Sequence, residues 1–400
     1  MVHRWLEELL RQSSKSVLLL GPRQVGKSTL IHALKPDWVI DLSRESDFRV
    51  FSGNTSELEQ GLAANSDVRT IFIDEIQRLP SMLNTIQFLL DTAQIQKTTS
   101  VRKKSSKPPK NKSFQFYLTG SSARKLRRGG ANLLPGRIFT YQLGPLAACE
   151  LEYDVDSARV LETGFLPEIY LSSERNFQEK LLESYAATYL REEIQAEALT
   201  RNLEGFSRFI DVAATHAGRI LDFSKVSSKA HVSRQSCVRF FEILEDTMIG
   251  LKILPCPLLH EEADMTKHPR FYFFDVGVLN GILGNFVASS DRRGVLAEHV
   301  VLNQIMQSAY AKDKRVNVWG FRTRGGLEID FLAQIDKHMW AIEVKSSDHV
   351  SSDDLRGLKQ FSNYYSEPYD AVVATMGGRS KKIEGIWVLP WQKLLREMGL

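Results

Sequence analysis

The chain has little of what marks several protein classes. Three cysteines occur in 400 residues, Cys149, Cys237 and Cys256, far apart and odd in number. They form neither a disulfide framework nor a paired zinc-ligand spacing, which points to a reducing compartment. The amino terminus, MVHRWLEELLRQSS, lacks the apolar stretch of a signal peptide. The longest apolar stretches are Val17–Leu20 and the Lys252-interrupted Met248–Leu259. Neither approaches the roughly 20 residues that span a bilayer. A cytoplasmic protein with no membrane contact is expected. No internal repeat is visible. The composition is otherwise ordinary, 43% hydrophobic and 25% charged, which excludes a mostly disordered chain and a fibre. The length suits two or three domains.

The net charge of +4 is mild, but it is unevenly spread. The stretch 97–113, KTTSVRKKSSKPPKNKS, holds seven basic and no acidic residues, and without it the remainder would carry −3. It has too little apolar surface to offset the entropy of ordering, so a disordered insertion is expected. It could contact phosphate backbones or be a tolerated surface loop.

Ser16–Leu20 is an apolar run suited to a buried parallel strand. It leads into Gly21-Pro22-Arg23-Gln24-Val25-Gly26-Lys27-Ser28-Thr29, then a helical pattern stopped by Pro36. This is G-x-x-x-x-G-K-S in strand–loop–helix context, a phosphate-binding loop. Gly21 and Gly26 let the backbone curl so that its N–H groups face phosphate oxygens. Lys27 is expected to reach the β- and γ-phosphates of ATP and Ser28 to hold Mg²⁺. A second apolar strand, Thr70–Ile73, ends in Asp74 and Glu75. Asp74 is the expected second Mg²⁺ ligand, and Glu75 the base that polarises the attacking water. A third strand, Phe114–Leu118, ends in Thr119-Gly-Ser121-Ser. Ligands sit at the carboxyl ends of parallel strands, so Thr119 is the expected γ-phosphate sensor and Ser121 the alternative. Arg137, in Leu-Pro-Gly-Arg, is the candidate arginine finger, with Arg124, Arg127 and Arg128 competing; such a residue usually acts across a subunit interface. A homo-oligomer follows if Arg137 acts in trans.

These segments, with Leu143-Gly-Pro-Leu, Gly164-Phe-Leu-Pro-Glu168, Arg270-Phe-Tyr-Phe-Phe-Asp275-Val-Gly277 and Gly294-Val-Leu-Ala-Glu298, resemble the AAA+ ATPases that carry a C-terminal DUF4143 domain. The resemblance runs along nearly the whole chain. It implies a P-loop α/β domain over 1–150 and a helical, winged-helix-like region over 151–262. A restriction-endonuclease-like α/β domain would follow over 263–400. The chain departs from the family in the basic insertion and in Phe165, where paired glycines are usual.

Asn176–Asn202 reads as a long helix and Leu203–Ala217 as a second. Phe223–Ala230 and Ser233–Leu244 read as a helix-turn-helix with Ser233 as N-cap. Helical spacing puts Val238, Phe241 and Leu244 toward the core and leaves Arg234, Gln235 and Arg239 outside, as candidate DNA contacts. Leu251–Leu254 is the strand expected to follow. Glu242, Glu245 and Asp246, later on the same helix, oppose deep insertion into a groove.

In the last third, Asp330 is followed after a hairpin by Glu343-Val-Lys345. Strand alternation puts Glu343 and Lys345 on one face. Asp330 and Glu343 could hold Mg²⁺ through carboxylate oxygens, with Lys345 beside the water. This is similar to the PD-(D/E)xK nuclease core. Glu298 would complete its acid set, and Gln360 with Tyr364 resembles the DNA-contact pair of RecB-like members. The expected activity is a Mg²⁺-dependent ATPase acting on DNA, with a metal-dependent DNA nuclease site in the C-terminal domain. The alternative is an ATP-controlled DNA- or protein-binding switch whose nuclease-like domain does no chemistry.

Overall fold

The computed structural model describes residues 2–54, 56–102, 114–121, 134–189, 203–259 and 264–400. The chain forms two compact units, His3–Leu143 and Gly144–Leu400.

The first unit is built on a five-stranded sheet of strands β1 (Ser16–Leu20), β2 (Trp38–Asp41), β3 (Thr70–Asp74), β4 (Gln115–Gly120) and β5 (Ile138–Gln142). The order is β2-β3-β4-β1-β5 and every pairing is parallel. All five residues of β1 are buried, as a strand covered on both faces requires. β4 lies between β1 and β3, so the ends of the two motif-bearing strands are held apart by one strand whose own end is polar. β2 and β5 flank this core and have no counterpart in the sequence reading.

The helix Met82–Arg102 takes in the first six residues of the stretch expected to be disordered. Leu83 and Ile86 anchor its first turns in the core, and once nucleated a helix propagates at little cost per residue. Residues 103–113 lie outside the described residues.

The second unit begins with helices. The predicted helix from Asn176 appears as Arg175–Ser184, followed by a π-helical turn, Tyr185–Tyr189; residues 190–202 lie outside the described residues. The helices Leu203–Thr215, Phe223–Lys229 and Arg234–Asp246 pack on an antiparallel pair, β6 (Gly250–Ile253) and β7 (Arg270–Phe273). An aromatic cluster fills the interior: the Phe241 ring meets Phe209 at 4.7 Å and Phe271 at 4.9 Å, both edge-to-face, which favours the ring quadrupoles. The buried face of helix Arg234–Asp246 is Cys237, Phe240, Phe241, Ile243 and Leu244. Val238, expected in the core, is only half-buried, because the larger Phe240 takes the inward position.

The unit closes with a six-stranded mixed sheet. Its strands are β8 (Val316–Arg322), β9 (Glu328–Ile335), β10 (His338–Lys345), β11 (Tyr369–Thr375), β12 (Lys381–Ile383) and β13 (Ile386–Pro390), in the order β12-β13-β11-β10-β9-β8. The long helix Arg293–Ala311 packs across β9 and β10.

Two of the quoted motifs meet here. Asp275 is buried, caps the helix Val276–Leu283 by accepting from Val278 N–H at 3.1 Å, and accepts from Phe165 N–H at 2.7 Å. Gly164 has φ 71°, and a Cβ there would overlap the Asp275 carboxylate, so only glycine fits. Phe165 is a core residue, its ring stacked on Tyr170. Burial raises the Asp275 carboxyl to about 6, against the three N–H groups that lower it.

Candidate nucleotide and carboxylate sites

The phosphate-binding loop leaves the buried end of β1. Gly26 has φ 93° and caps the helix Lys27–Ala33, a conformation that glycine adopts freely. A Cβ on Gly21 would overlap the Leu143 carbonyl oxygen. Gly21 N–H donates to the Gly120 carbonyl at 3.2 Å and Leu143 N–H to that of Leu20 at 2.8 Å, so the ends of β4, β1 and β5 are stitched together around the loop. Lys27 is 5% exposed and donates to the carbonyls of Gly21 at 2.9 Å and Pro22 at 2.8 Å. Arg4 holds the far side of the loop by donating to the Val25 carbonyl at 2.9 Å. Ser28 is half-buried and Thr29 exposed.

The carboxyl ends of β3 and β4 carry a connected polar cluster. Thr119 Oγ1 donates to Asp74 Oδ1. Glu75 N–H bonds Asp74 Oδ1 at 3.1 Å and Thr119 Oγ1 at 3.3 Å. Glu75 has φ 56°, a left-handed backbone that turns its side chain off the strand direction. The structure brings Thr119, the expected sensor, to Asp74. Ser121, the alternative sensor, reaches a different partner. Gln77 Nε2 donates to Ser121 Oγ at 2.9 Å and to Glu75 Oε2. Gln77 is 3% exposed and was missed by sequence reasoning. The available signal was its place two residues after the Asp-Glu pair, on the tight turn Ile76–Arg78.

Arg137 is not brought to this cluster. It precedes β5, whose first residue, Ile138, pairs with Ser16 at the start of β1, whereas the loop leaves from Leu20 at the other end. Its guanidinium forms a two-pronged ion pair with Asp91, one arm at 2.9 Å. This pairing holds Asp91 below its usual range. Within its own unit Arg137 cannot reach the nucleotide loop. Arg124, Arg127 and Arg128 lie outside the described residues.

In the second unit, β9 and β10 are antiparallel with Ile342 opposite Phe331, so Glu343 stands opposite Asp330 one step further on. Asp330 is 9% exposed and its Oδ2 accepts from Val344 N–H at 2.8 Å. Lys345 Nζ lies 3.1 Å from Glu343 and 2.9 Å from Asp354. Glu298 accepts from the Tyr272 hydroxyl at 2.8 Å. Arg270, unassigned in the sequence reading, sits among them. Its Nη1 is 3.6 Å from Asp330, 3.7 Å from Glu298 and 3.7 Å from Glu328, and Nη2 donates to the Asp330 carbonyl. Burial raises the carboxyls of Glu298, Asp330 and Glu343, and their mutual repulsion adds to the rise for the two glutamates. Arg270 and Lys345 oppose it as opposite charges do. Among the described residues no group of three or more His, Cys, Asp or Glu is placed to hold a metal ion. Each of the two carboxylates expected to hold Mg²⁺ faces a side-chain cation, Asp330 facing Arg270 and Glu343 facing Lys345.

Arg234, Gln235 and Arg239 are exposed on helix Arg234–Asp246, with Ser233 accepting from Ser236 N–H at 3.0 Å as N-cap. Gln360 is exposed at the end of helix Arg356–Gln360. Tyr364, its expected partner, is half-buried and meets the Phe321 ring edge-to-face at 5.2 Å.

Residues 13–152 match the family model of an AAA domain. Residues 155–289 match a domain of unknown function (DUF8612), and residues 293–394 match another (DUF4143). An AAA domain ahead of a DUF4143 domain is the architecture that the sequence resembles. Two relatives are the uncharacterized proteins Rv2008c of Mycobacterium tuberculosis and Mb2031c of Mycobacterium bovis. Each is 22% identical over 339 residues, 82% of this chain and 70% of the relative. Among solved structures, the Aeropyrum pernix ORC2 protein in its ADPNP–ADP complexes is 14% identical. The match covers 76% of this chain and 92% of that one, with a TM-score of 0.36. A Pyrococcus horikoshii signal transduction ATPase with numerous domains is 11% identical, covering 77% of this chain and 47% of that one, with a TM-score of 0.23. The AAA domain carries the phosphate-binding loop and the Asp74–Glu75 pair. No helix among the described residues is long and apolar enough to cross a membrane.

Proposed function

We propose that the AAA domain binds ATP with Mg²⁺ and hydrolyses it, and that the nucleotide state governs how the second unit engages DNA. One observation carries the hydrolysis reading: β4 lies between β1 and β3, so Thr119 fixes Asp74 and Glu75 at the edge from which the phosphate-binding loop leaves. The residues present fit the nucleotide and its metal: a loop with two obligatory glycines, a buried lysine and an oxygen-rich cluster of Asp74, Thr119 and Ser28. Backbone N–H groups of Arg23–Thr29 would cradle the phosphates and Lys27 would neutralise them. Ser28 and Asp74 would hold Mg²⁺, which offsets charge on the phosphate oxygens when bound. Glu75 polarises the attacking water, and Thr119 and Gln77 set its aim. Arg137, once released from Asp91, acts on a neighbouring subunit.

The DNA reading is supported by Arg234, Gln235 and Arg239, exposed at the first turns of the second helix of a helix-turn-helix pair. The antiparallel β6–β7 pair that follows supports a winged-helix reading of the module. ATP hydrolysis by the full chain, by Lys27→Ala and by Glu75→Gln tests the first part; hydrolysis that survives both substitutions sinks it. DNA affinity with ATP analogue and with ADP, across a salt series, tests the second. Arg234→Ala and Arg239→Ala should each lower the salt slope by about 1. Affinity indifferent to nucleotide and to both arginines leaves the protein-partner switch.

A second reading, Mg²⁺-dependent DNA cleavage, is favoured by Asp330 and Glu343 facing each other beside Lys345. It requires Arg270 to leave the carboxylates. Cleavage of supercoiled, linear and single-stranded DNA that disappears in Lys345→Ala would establish it.

A further inference from the structure

The nuclease-like resemblance implies a divalent metal between Asp330 and Glu343, and the residues around them argue otherwise. We infer that Arg270 is the resident cation of this cluster and that its guanidinium occupies the Asp330 carboxylate that a divalent metal would need, as Lys345 occupies Glu343. The inference does not depend on the ATPase reading.

The arginine position is built, not incidental. Arg270 is 8% exposed and anchored as the first residue of β7. Its guanidinium faces three carboxylates within 3.7 Å and the Asp330 carbonyl. It lies over the Phe331 ring at 5.4 Å and the Tyr272 ring at 5.9 Å. Arginine stays charged in any protein setting and tolerates such stacked, partly dry surroundings. Mg²⁺ demands oxygen ligands near 2.0–2.1 Å in octahedral array and keeps several waters. Here Asp330 is shared between Arg270 and Val344 N–H, and Glu343 is held by Lys345. A second cation placed there would also face the buried guanidinium across a low dielectric.

The test is Mn²⁺ binding to the full chain without nucleotide, followed by electron paramagnetic resonance, in an Asp74→Asn background that disables the AAA-domain metal position. With Arg270 in place, adding Asp330→Asn should leave the Mn²⁺ titration unchanged through the millimolar range. Mn²⁺ binding that Asp330→Asn abolishes overturns the inference. Arg270→Met, of similar length and no charge, removes the cation from Asp330 and Glu298, while Glu328 keeps Arg322. Confirmed folded by circular dichroism, it should bind Mn²⁺ roughly tenfold more tightly or better, and its melting temperature should rise with added Mn²⁺ while that of the Arg270 protein does not. A folded Arg270→Met that binds Mn²⁺ no better than its parent overturns the inference equally.

Discussion

Gln77→Leu probes the nucleotide site without touching any group that meets the phosphates. Leucine is close in size to glutamine, and the position is 3% exposed, so packing changes little. Among the described residues the buried Gln77 amide oxygen has no hydrogen-bond partner. The substitution therefore removes only what Nε2 does, which is to bridge Glu75 Oε2 and Ser121 Oγ. A hydrogen bond to a charged group is worth about 1.5–3 kcal/mol. Expressed wholly in the transition state, that is roughly a 10- to 150-fold fall in kcat. Nucleotide affinity should stay within about twofold, since the phosphate-binding loop keeps its contacts to β4 and β5. Steady-state hydrolysis and fluorescent-nucleotide titration separate the two quantities. A double-mutant cycle sharpens the assay: in a Glu75→Gln background, Gln77→Leu should cost almost nothing further. A kcat within about threefold of the parent in a folded variant would refute the positioning role, as would full additivity in the cycle.

Three further outcomes are expected. Gly21→Ala forces a Cβ into the Leu143 carbonyl, so ATP binding should fall sharply with a lowered melting temperature; normal binding by calorimetry would contradict the stitched geometry. Arg137→Ala breaks an ion pair whose partners are 30% and 34% exposed, so stability should change by less than about 1 kcal/mol. Its effect on hydrolysis should appear only at protein concentrations that support assembly. Asp275 has a folded pKa of about 6 above an ordinary value of 3.8. The fold therefore holds this proton more tightly than the unfolded chain. The stabilisation is complete below about pH 4 and is lost as pH rises through about 6, a span worth roughly 3 kcal/mol. Urea unfolding should then show Asp275→Ala penalised most at low pH and least at pH 8; a penalty that grows with pH would contradict the assignment.

The legible parts of the fold were those whose local pattern agrees with their tertiary role. Ser16–Leu20, Thr70–Asp74 and the strand before Thr119 are apolar runs that end in chemistry, so strand and site announced each other. β2 is four residues, Trp38–Asp41, with only Ile40 fully buried, and β5 exposes most of its length. Such edge strands are defined by a neighbour's backbone rather than by their own periodicity. The Asp330–Glu343–Lys345 set was legible because strand alternation is local. Arg270 was not, since a basic residue ahead of an apolar strand reads as a solvated end. Its burial comes from a partner 60 residues away. The contact of Tyr364 with Phe321 was not legible either, since the two are remote in sequence.

The carboxylate cluster owes its composition to a hairpin, and that makes it brittle in one direction and tolerant in another. β9 and β10 are joined through Asp336-Lys337, with Asp336 at φ 56°. Lengthening that turn by one residue would slide Glu343 and Lys345 to the opposite face of the sheet. Both would leave Asp330 in a single step, and Ile342 would arrive in their place. Variation in the lineage of this domain therefore has no gradual route through loop length. The site can be rewritten only one side chain at a time, with the strand pairing held fixed.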